Sequence, residues 1–442
     1  MIEVKKLSEQ EVIEAKKEIA NALKIDEKYI YYGVSDSKEF IITDAYVKLE
    51  NGGVAFDNLN TKILTIPTFF DVAIFIKYPI SFFYCEFPYS LGSFRFFTEK
   101  FYALSFDHCN FLSPTYLNHL SAYACIFSFC HFKKDFELNH IEIEKVYFEN
   151  CIFEKRAVFK GTTFGGDISL YGSTFKQCPN FAQCRFEGEL NLVNTNLAFD
   201  FKDTEKQINL ASKNNNNHFV ANDFRDSFRL FKNTLSKEGN LLDASNYHRV
   251  ELYCKEIELD SKPNKKLQDK IDKWQLWFYR LTSDHYTDLL RSFNTLIALI
   301  GIFGLLCGSV VLGLDYFVFD YQKGFDILQL KSFFFKKINK SITSHLLEYF
   351  VGNVVLVFVF LGLFLGVVWK CSRDIFIALG YVMTLGFLAT SPKYLIPVMS
   401  LFGGGRAVLD PLGIVGGVYT LLFGLIAYSL IKTARKNSII PS

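Results

Sequence analysis

The sequence predicts a β-solenoid joined to a bundle of membrane-spanning α-helices. Three observations support this fold class. Between residues 148 and 197 a large apolar residue recurs in alternating steps of five and six, and a small residue stands two positions before every second one. Four long uncharged apolar runs follow residue 290. The spacing of the large residues and the small residue before every second one indicate a solenoid, and the apolar runs indicate a membrane domain.

A period near five fits neither an α-helix nor a simple strand, but it fits one side of a square coil. Small and large residues two positions apart would both point inward, and stacked coils would bury them. We expect Phe164 and Phe175 to stack along one inner wall. The predicted core is Phe148, Phe153, Phe159, Phe164, Leu170, Phe175, Phe181, Phe186, Leu192 and Leu197.

Four triplets carry a family resemblance: Cys151-Ile152-Phe153, Thr162-Thr163-Phe164, Ser173-Thr174-Phe175 and Cys184-Arg185-Phe186. They resemble the pentapeptide-repeat family, which implies a right-handed quadrilateral β-helix over residues 96–205. A rougher pattern extends upstream, with a break in register between Phe132 and Phe148. Its members are Phe96, Phe101, Phe106, Phe111, Tyr116, Phe127 and Phe132. The alternative is a Phe-rich antiparallel β-domain.

Residues 1–95 are predicted to form an N-terminal helix, a solenoid cap and degenerate first coils. Ser8 is the expected N-cap of the helix, because Glu11 stands three residues later and completes a capping box. The expected apolar stripe consists of Ile13, Ile19, Ala20 and Leu23.

Residues 218–290 are predicted to form a helical connector. Two helices, about 222–235 and 243–259, would be joined by a turn in which Gly239 suits a left-handed C-cap. A third helix, about 266–281, carries Trp274 and Trp277 and leads into the apolar region. Aromatic residues beside basic ones favour a bilayer interface.

The membrane domain is predicted over residues 291–433 as a four-helix bundle. Its spans are 292–314, 349–369, 375–392 and 411–431. Each run can cross or nearly cross a hydrocarbon core of about 30 Å. Glycine pairs at 304/308, 362/366 and 413/417 would allow close helix packing, which we expect within one subunit. Buried helices of a soluble protein are the alternative.

Composition and motifs argue against several functional classes. The 442-residue chain has a net charge of +2, and its repeat region is only mildly acidic, so we expect no nucleic-acid partner and no DNA mimicry. It contains no catalytic motif, which predicts a protein that is not an enzyme and has no cofactor. The ten cysteines include five that precede an apolar residue by two positions, where they act as small apolar filler. We expect no metal site.

Two functional hypotheses remain. The hairpin and spans resemble bacterial pentapeptide-repeat membrane proteins with an ion-channel-like C-terminal part, which implies a homo-oligomeric pore. The candidate pore residues are Gly403, Gly404, Gly405, Arg406, Asp410 and Asn353. No potassium-filter motif accompanies them. The alternative is a membrane-anchored scaffold in which the solenoid wall binds a protein.

The expected location is the bacterial inner membrane, with lipids as partners. The first residues lack the apolar segment of a signal peptide, so we expect the solenoid to lie in the cytoplasm. The reducing environment of that compartment suits the free cysteines. The distribution of basic residues at the ends of the spans supports this orientation only slightly.

Overall fold

The computed structural model describes the chain in thirteen segments that fall into two compact units, Met1–Lys270 and Ile271–Ser442. The described residues are 7–32, 38–44, 47–50, 53–56, 62–67, 74–92, 101–117, 121–197, 199–212, 217–318, 346–368, 373–390 and 411–437.

The first unit begins with α1 (Glu9–Leu23), followed by a short 3-10 turn at Glu27–Tyr29. A single-turn helix, α2 (Ile74–Lys77), lies further along the chain. Ser8 caps α1 as predicted: its hydroxyl accepts from Glu11 N, and Glu11 Oε2 accepts from Ser8 N at 2.7 Å. The buried stripe is Ala15, Ile19, Ala20 and Leu23, and it packs into the same core as the first strands. The expectation for Ile13 was wrong, because this side chain is 53% exposed.

Most strands of the first unit pair in parallel with the strand of the next coil. Among the described residues, the largest sheet contains β1 (Ile30–Tyr32), β2 (Phe40–Ile42), β6 (Ile80–Phe83), β9 (Phe101–Asp107), β12 (Ser121–Ser128), β15 (Glu142–Glu149), β18 (Thr163–Phe164), β19 (Ile168–Ser169), β21 (Arg185–Phe186) and β22 (Leu190–Asn191). The second contains β5 (Leu64–Thr65), β7 (Cys85–Phe87), β10 (Asn110–Phe111), β13 (His131–Phe132), β16 (Ile152–Phe153) and β20 (Thr174–Phe175). The third contains β8 (Leu91–Gly92), β11 (Thr115–Tyr116), β14 (Phe136–Glu137) and β17 (Ala157–Val158). A separate antiparallel hairpin joins β3 (Val47–Glu50) to β4 (Gly53–Phe56).

The parallel pairing builds a solenoid in which one coil takes 21 or 22 residues over most of its length. Phe127 lies opposite Phe148 in the neighbouring coil, and Ile152 lies opposite Thr174. Large residues therefore stack in four inward columns. These are Phe82-Phe106-Phe127-Phe148-Leu170-Leu192, Phe87-Phe111-Phe132-Phe153-Phe175-Leu197, Leu117-Leu138-Phe159-Phe181 and Ala122-Ile143-Phe164-Phe186. The predicted square coil is confirmed.

This geometry corrects three sequence expectations. Residues 11 apart are half a coil apart, so Phe164 and Phe175 belong to different columns instead of sharing one wall. The core does not break between Phe132 and Phe148, because Leu138 and Ile143 fill the two intervening sides. The third correction concerns Tyr116, because its neighbour Leu117 is the buried residue. The repeat upstream of residue 148 was harder to recognise because smaller aliphatic side chains replace Phe at some inward positions.

The small inward residues also satisfy backbone carbonyls. Thr162 Oγ1 donates to Leu138 O at 2.6 Å, and Ser173 Oγ donates to Phe148 O at 2.8 Å. The Cys151 thiol makes the weaker equivalent contact to Phe127 O at 3.2 Å. A small side chain that can donate is thus useful at this position, which explains why Cys, Ser and Thr alternate there.

Helices close the far end of the solenoid. They are α3 (Phe201–Ala211), α4 (Asn217–Lys237) and α5 (Leu241–Ser261), and α3 was not predicted. Phe231 packs edge-on against Phe181, and Ser227 Oγ accepts from Phe181 N at 2.8 Å. Gly239 adopts φ +81° in the turn, as expected for a C-cap. The predicted connector therefore also serves as a cap on the last coil.

The second unit is helical. It contains most of α6 (Leu267–Ser283), then α7 (Leu289–Val318), α8 (Leu346–Val368), α9 (Arg373–Thr390) and α10 (Pro411–Asn437). Within the described residues, three segments are long and apolar enough to cross a membrane: Leu289–Val310, Leu347–Gly366 and Gly413–Arg435. The third predicted span corresponds to α9, which is not one of these three. The part of α9 after Asp374 rises only about 24 Å, less than a hydrocarbon core of about 30 Å.

Close helix contact occurs at an unpredicted pair of glycines. A Cβ at Gly301 of α7 would lie 2.6 Å from the Cα of Gly380 in α9, and a Cβ at Gly380 would lie 2.4 Å from Ile297 O. By contrast, no atom of the described chain lies within 4 Å of the position that a Cβ would take at Gly308, Gly362, Gly366 or Gly417. These four glycines do not mediate the expected packing within the described subunit.

Candidate functional site

The interior of the solenoid is filled by stacked side chains. Phe153 and Phe175 stack with centroids 4.5 Å apart and rings 1° from parallel, and Phe159 and Phe181 stack at 4.2 Å. Nine of the ten predicted core residues are buried, and Phe186 is half-buried. Helices α1 and α4 pack on the two ends of this core. The surface that the described solenoid offers to another molecule is therefore its outer wall.

One edge of this wall consists of corner residues with left-handed backbone. The column contains Tyr84, His108, Phe129, Asn150, Gly172 and Asn194, with φ between 51° and 65°. Each corner residue precedes a small inward residue. Phe129 N, for example, donates to Glu149 O of the next coil at 2.8 Å. The fold therefore requires a positive φ once per coil at this edge.

Glycine and asparagine are suited to this conformation, and three coils use them. The other three coils place rings there: Tyr84, His108 and Phe129, which we call the aromatic ridge. Their rings stack outside the solenoid, with 4.7 Å between the centroids of Tyr84 and His108 and 4.7 Å between those of His108 and Phe129. Phe129 is 52% exposed. The ridge therefore presents aromatic surface to the surroundings.

The aromatic ridge has an energetic cost. A left-handed conformation costs an L-residue roughly 1–2 kcal/mol, whereas a stacked aromatic pair returns about 0.5–1.5 kcal/mol. Stability alone gives little reason to prefer these rings to asparagine. Strained residues of this kind are found most often at functional sites. Two more exposed apolar residues, Tyr171 and Val193, continue along the same edge at 39% and 54% exposure.

A neighbouring face of the wall carries paired charges. Glu154 accepts from Lys176 Nζ at 2.7 Å and contacts His131 Nε2 at 3.0 Å, which links three consecutive coils. Lys176 and His131 hold the pKa of Glu154 below its usual range by hydrogen bonding. Because these charges neutralise one another, this face attracts a charged partner less strongly than an unpaired cluster would.

Cys125 and Cys184 of the solenoid are poor candidates for a reactive thiol. Burial raises the pKa of Cys125 and of Cys184 to about 12, which keeps both protonated and poorly nucleophilic. In the described part of the chain, no group of three or more His, Cys, Asp or Glu side chains is placed to hold a metal ion.

Five of the six predicted pore residues are not described by the structure, so their grouping stays a prediction. Gly403, Gly404, Gly405, Arg406 and Asp410 lie outside the described residues. Asn353 lies on α8 and is 3% exposed, on the same side of the helix as buried Phe360 and Phe364. Among the described residues, Asn353 thus belongs to the packed interior of the unit and does not face an open path.

Sequence reasoning missed the aromatic ridge because its members fall between the core positions. His108 and Phe129 directly precede Cys109 and Cys130, the small residues of two upstream coils. The residue that precedes each small inward residue could have indicated the corner position. Its meaning depends on the corner conformation, which the repeat period alone does not reveal.

Residues 148–196 match a family described as Pentapeptide repeats (9 copies). No curated protein and no solved structure matches the chain. The matched segment coincides with the coils in which the predicted triplets occur. This match and the stacked coils show that residues 148–196 are a pentapeptide-repeat segment of the chain.

Proposed function

We propose that this protein is a membrane-anchored scaffold that binds another protein through the aromatic ridge of its solenoid. The proposal assigns it no catalytic activity. The supporting observation is the ridge itself: three aromatic rings on the outer wall, two of them exposed, occupy corners at which asparagine or glycine would be less strained. Aromatic residues are enriched in protein interfaces because they bury a large area at a low cost in conformational entropy.

The remaining architecture fits this role. A filled solenoid capped at both ends is a rigid support for residues on its outer wall. Three helices that are long and apolar enough to cross a membrane would fix that support at a membrane surface. We further propose that the membrane is the bacterial inner membrane and that the solenoid is cytoplasmic, because the reducing environment of the cytoplasm suits its buried free thiols.

Site-specific photocrosslinking tests the proposal. A photoreactive amino acid replaces Phe129 in the full-length protein, and native membranes are irradiated. The matched control carries it at Gln183, an exposed residue with φ +62° at a different corner. We expect a discrete adduct with a second protein from position 129 only, and its loss when His108→Asn is added. Equal adducts from both corners, or an adduct with the mass of two copies of this chain, would contradict the proposal.

A channel is the second candidate function. The observation in its favour is that Gly308, Gly362, Gly366 and Gly417 have no close neighbour within the described subunit. Such glycine faces allow helices of different subunits to approach closely. This reading proposes a homo-oligomer whose pore includes the segment 403–410.

Reconstitution distinguishes the two candidates. Full-length protein in bilayers should conduct ions under the channel reading, and Gly362→Leu should dissociate the oligomer and abolish the current. The scaffold reading predicts no current from a folded protein. Gly352→Leu is the matched control, because Gly352 also lies on an open part of α8 but has no glycine four residues away, so this substitution should leave the current unchanged.

A further inference from the structure

The junction between α6 and α7 turns through three successive left-handed residues. Asp284, His285 and Tyr286 have φ of 50°, 55° and 66°. Ser283 Oγ accepts from Tyr286 N at 3.2 Å, and Thr295 Oγ1 donates to Thr282 O at 3.3 Å. These bonds fix the turn, which we call the elbow, against the first turns of α7.

Basic side chains from three helices gather around the elbow. Arg291 of α7 lies 3.9 Å from Asp284 Oδ1 and 3.4 Å from Asp288 Oδ2. Lys432 of α10 lies over the ring of Tyr286, with Nζ 4.0 Å from the centroid. Arg373 begins α9 and is within electrostatic reach of Arg291, Asp288 and Asp374. Three basic side chains, interleaved with Asp284, Asp288 and Asp374, therefore lie where α7 and α9 begin and α10 ends.

Arg373 differs from the half-buried basic residues of the first unit. Lys160 is paired with Asp223 at 2.8 Å, and Lys232 is paired with Glu251 at 2.9 Å. Arg373 is also half-buried, yet no carboxylate oxygen among the described residues lies within 4 Å of its guanidinium nitrogens. A like charge, Arg291, is among its electrostatic neighbours. An anion from outside the chain would relieve this repulsion.

The elbow also carries apolar groups that suit a bilayer interface. Ile271 and Trp274 of α6 are 52% and 64% exposed, and Tyr279 stacks on Tyr286 at 5.1 Å. Tryptophan and tyrosine favour the headgroup level of membranes. The candidate span of α7 begins at Leu289, directly after the elbow. The anion most available at this depth is the phosphate of a lipid.

We propose that the elbow binds the phosphate group of an anionic phospholipid, with Arg373 as the principal contact and Lys432 as a second. Basic pockets between membrane helices bind lipid headgroups in this way. Arg291 orients the site through Asp284 and Asp288, and its guanidinium adds to the positive potential. The proposal depends on the helices crossing a membrane, and it is independent of whether the solenoid is a scaffold or the spans form a pore.

The test is lipid binding to full-length protein in detergent. Phosphatidylglycerol should raise the melting temperature saturably, whereas phosphatidylcholine with the same acyl chains and inorganic phosphate should not. Arg373→Gln should weaken the apparent affinity for phosphatidylglycerol about tenfold, as expected for the loss of a charge-assisted hydrogen bond. Arg373→Lys keeps the charge and should keep most of the binding.

Arg435→Gln is the matched control, because Arg435 is exposed on α10 near the same end of the unit. It should weaken binding less than about twofold. Equal losses for Arg373→Gln and Arg435→Gln would overturn the site in favour of diffuse surface attraction. Equal stabilisation by phosphatidylcholine or by inorganic phosphate would overturn the assignment to an anionic lipid. If Arg373→Gln does not fold, native mass spectrometry of wild type decides: selective retention of phosphatidylglycerol supports the site, and equal retention contradicts it.

Discussion

At the scale of single residues, position within the coil determines how much a side chain matters. Phe164 and Phe175 are buried at 1% and 3% exposure, and Lys176 follows on the outer surface. Phe→Ala at either core position should cost about 3–5 kcal/mol, because apolar contact is lost and a cavity remains. Lys176→Ala should cost under about 0.5 kcal/mol. Chemical denaturation of the first unit in the full-length protein measures both, and equal costs would contradict the assigned columns.

The corners provide a second residue-scale prediction. Gln183 and Gly161 occupy equivalent left-handed corners of successive coils, with φ of 62° and 71°. Gln183→Gly should stabilise by about 0.5–1 kcal/mol, because it relieves strain at an exposed position. Gly161→Ala should destabilise, because its Cβ would lie 2.5 Å from His140 Nδ1. Denaturation midpoints of the two variants should therefore move in opposite directions, and movement in the same direction would argue against this backbone.

Acid should weaken the helical cap through Glu251. Burial raises the pKa of Glu251, but hydrogen bonds from His248 and Lys232 outweigh burial and leave it below its ordinary value of 4.5. Because the pKa of Glu251 is lower in the folded state than in the unfolded state, its ionised carboxylate stabilises the fold at pH values above the unfolded-state pKa. This stabilisation is lost as the pH falls through the folded-state pKa. Melting temperature should therefore fall below about pH 4.5, less steeply in Glu251→Gln. An unchanged slope in the variant would show that Glu251 is not responsible.

At the scale of elements, the sequence predicted the repeats and an N-terminal cap but not the corners or the C-terminal cap. Ten regularly spaced residues predicted the coil, because large side chains must fill a narrow interior in every turn. Upstream, Leu138 and Ile143 filled the same interior without a recognisable pattern, so the predicted break was an artefact of side-chain size. The capping role of α4 could not be anticipated, since it depends on contacts such as that between Phe231 and Phe181, 50 residues apart.

Helix packing in the second unit gives an element-scale prediction. Gly380→Ala should lower the melting temperature of the detergent-solubilised protein, because the new methyl group meets Ile297 O and must push α9 from α7. The cost should be about 1–3 kcal/mol. Gly362→Ala, on an open face of α8, should leave the subunit's stability unchanged. Equal effects of the two substitutions would contradict the packing of α7 against α9.

At the scale of the whole molecule, one chain carries a solenoid and a helical unit in which three described helices are long and apolar enough to cross a membrane. Composition predicted both, because charged residues continue up to residue 290 and then give way to long apolar runs. The number of membrane crossings could not be predicted as directly from composition. The described helices include three candidate spans and the shorter α9, and whether α9 crosses decides on which side the chain ends.

Cysteine labelling resolves that question. Lys17→Cys lies in the solenoid unit and Arg435→Cys lies near the end of α10, and both positions are exposed. If α9 crosses the membrane, the two cysteines share a side, and a membrane-impermeant reagent should label both only after permeabilisation. Labelling of Arg435→Cys alone in intact cells would indicate an odd number of crossings.

The central claim is that the aromatic ridge serves binding and contributes little to the stability of the fold, and the stability of Phe129→Asn tests it most directly. Asparagine relieves the strain of the left-handed backbone at φ 51°, but the substitution also removes the stacking of the half-exposed Phe129 ring on His108. These effects should nearly cancel, so the free energy of unfolding should stay within about 0.5 kcal/mol of wild type. Phe132→Ala, three residues away in the core, should cost about 3–5 kcal/mol. A loss above about 2 kcal/mol for Phe129→Asn would show that the ring supports the fold, and would contradict the claim.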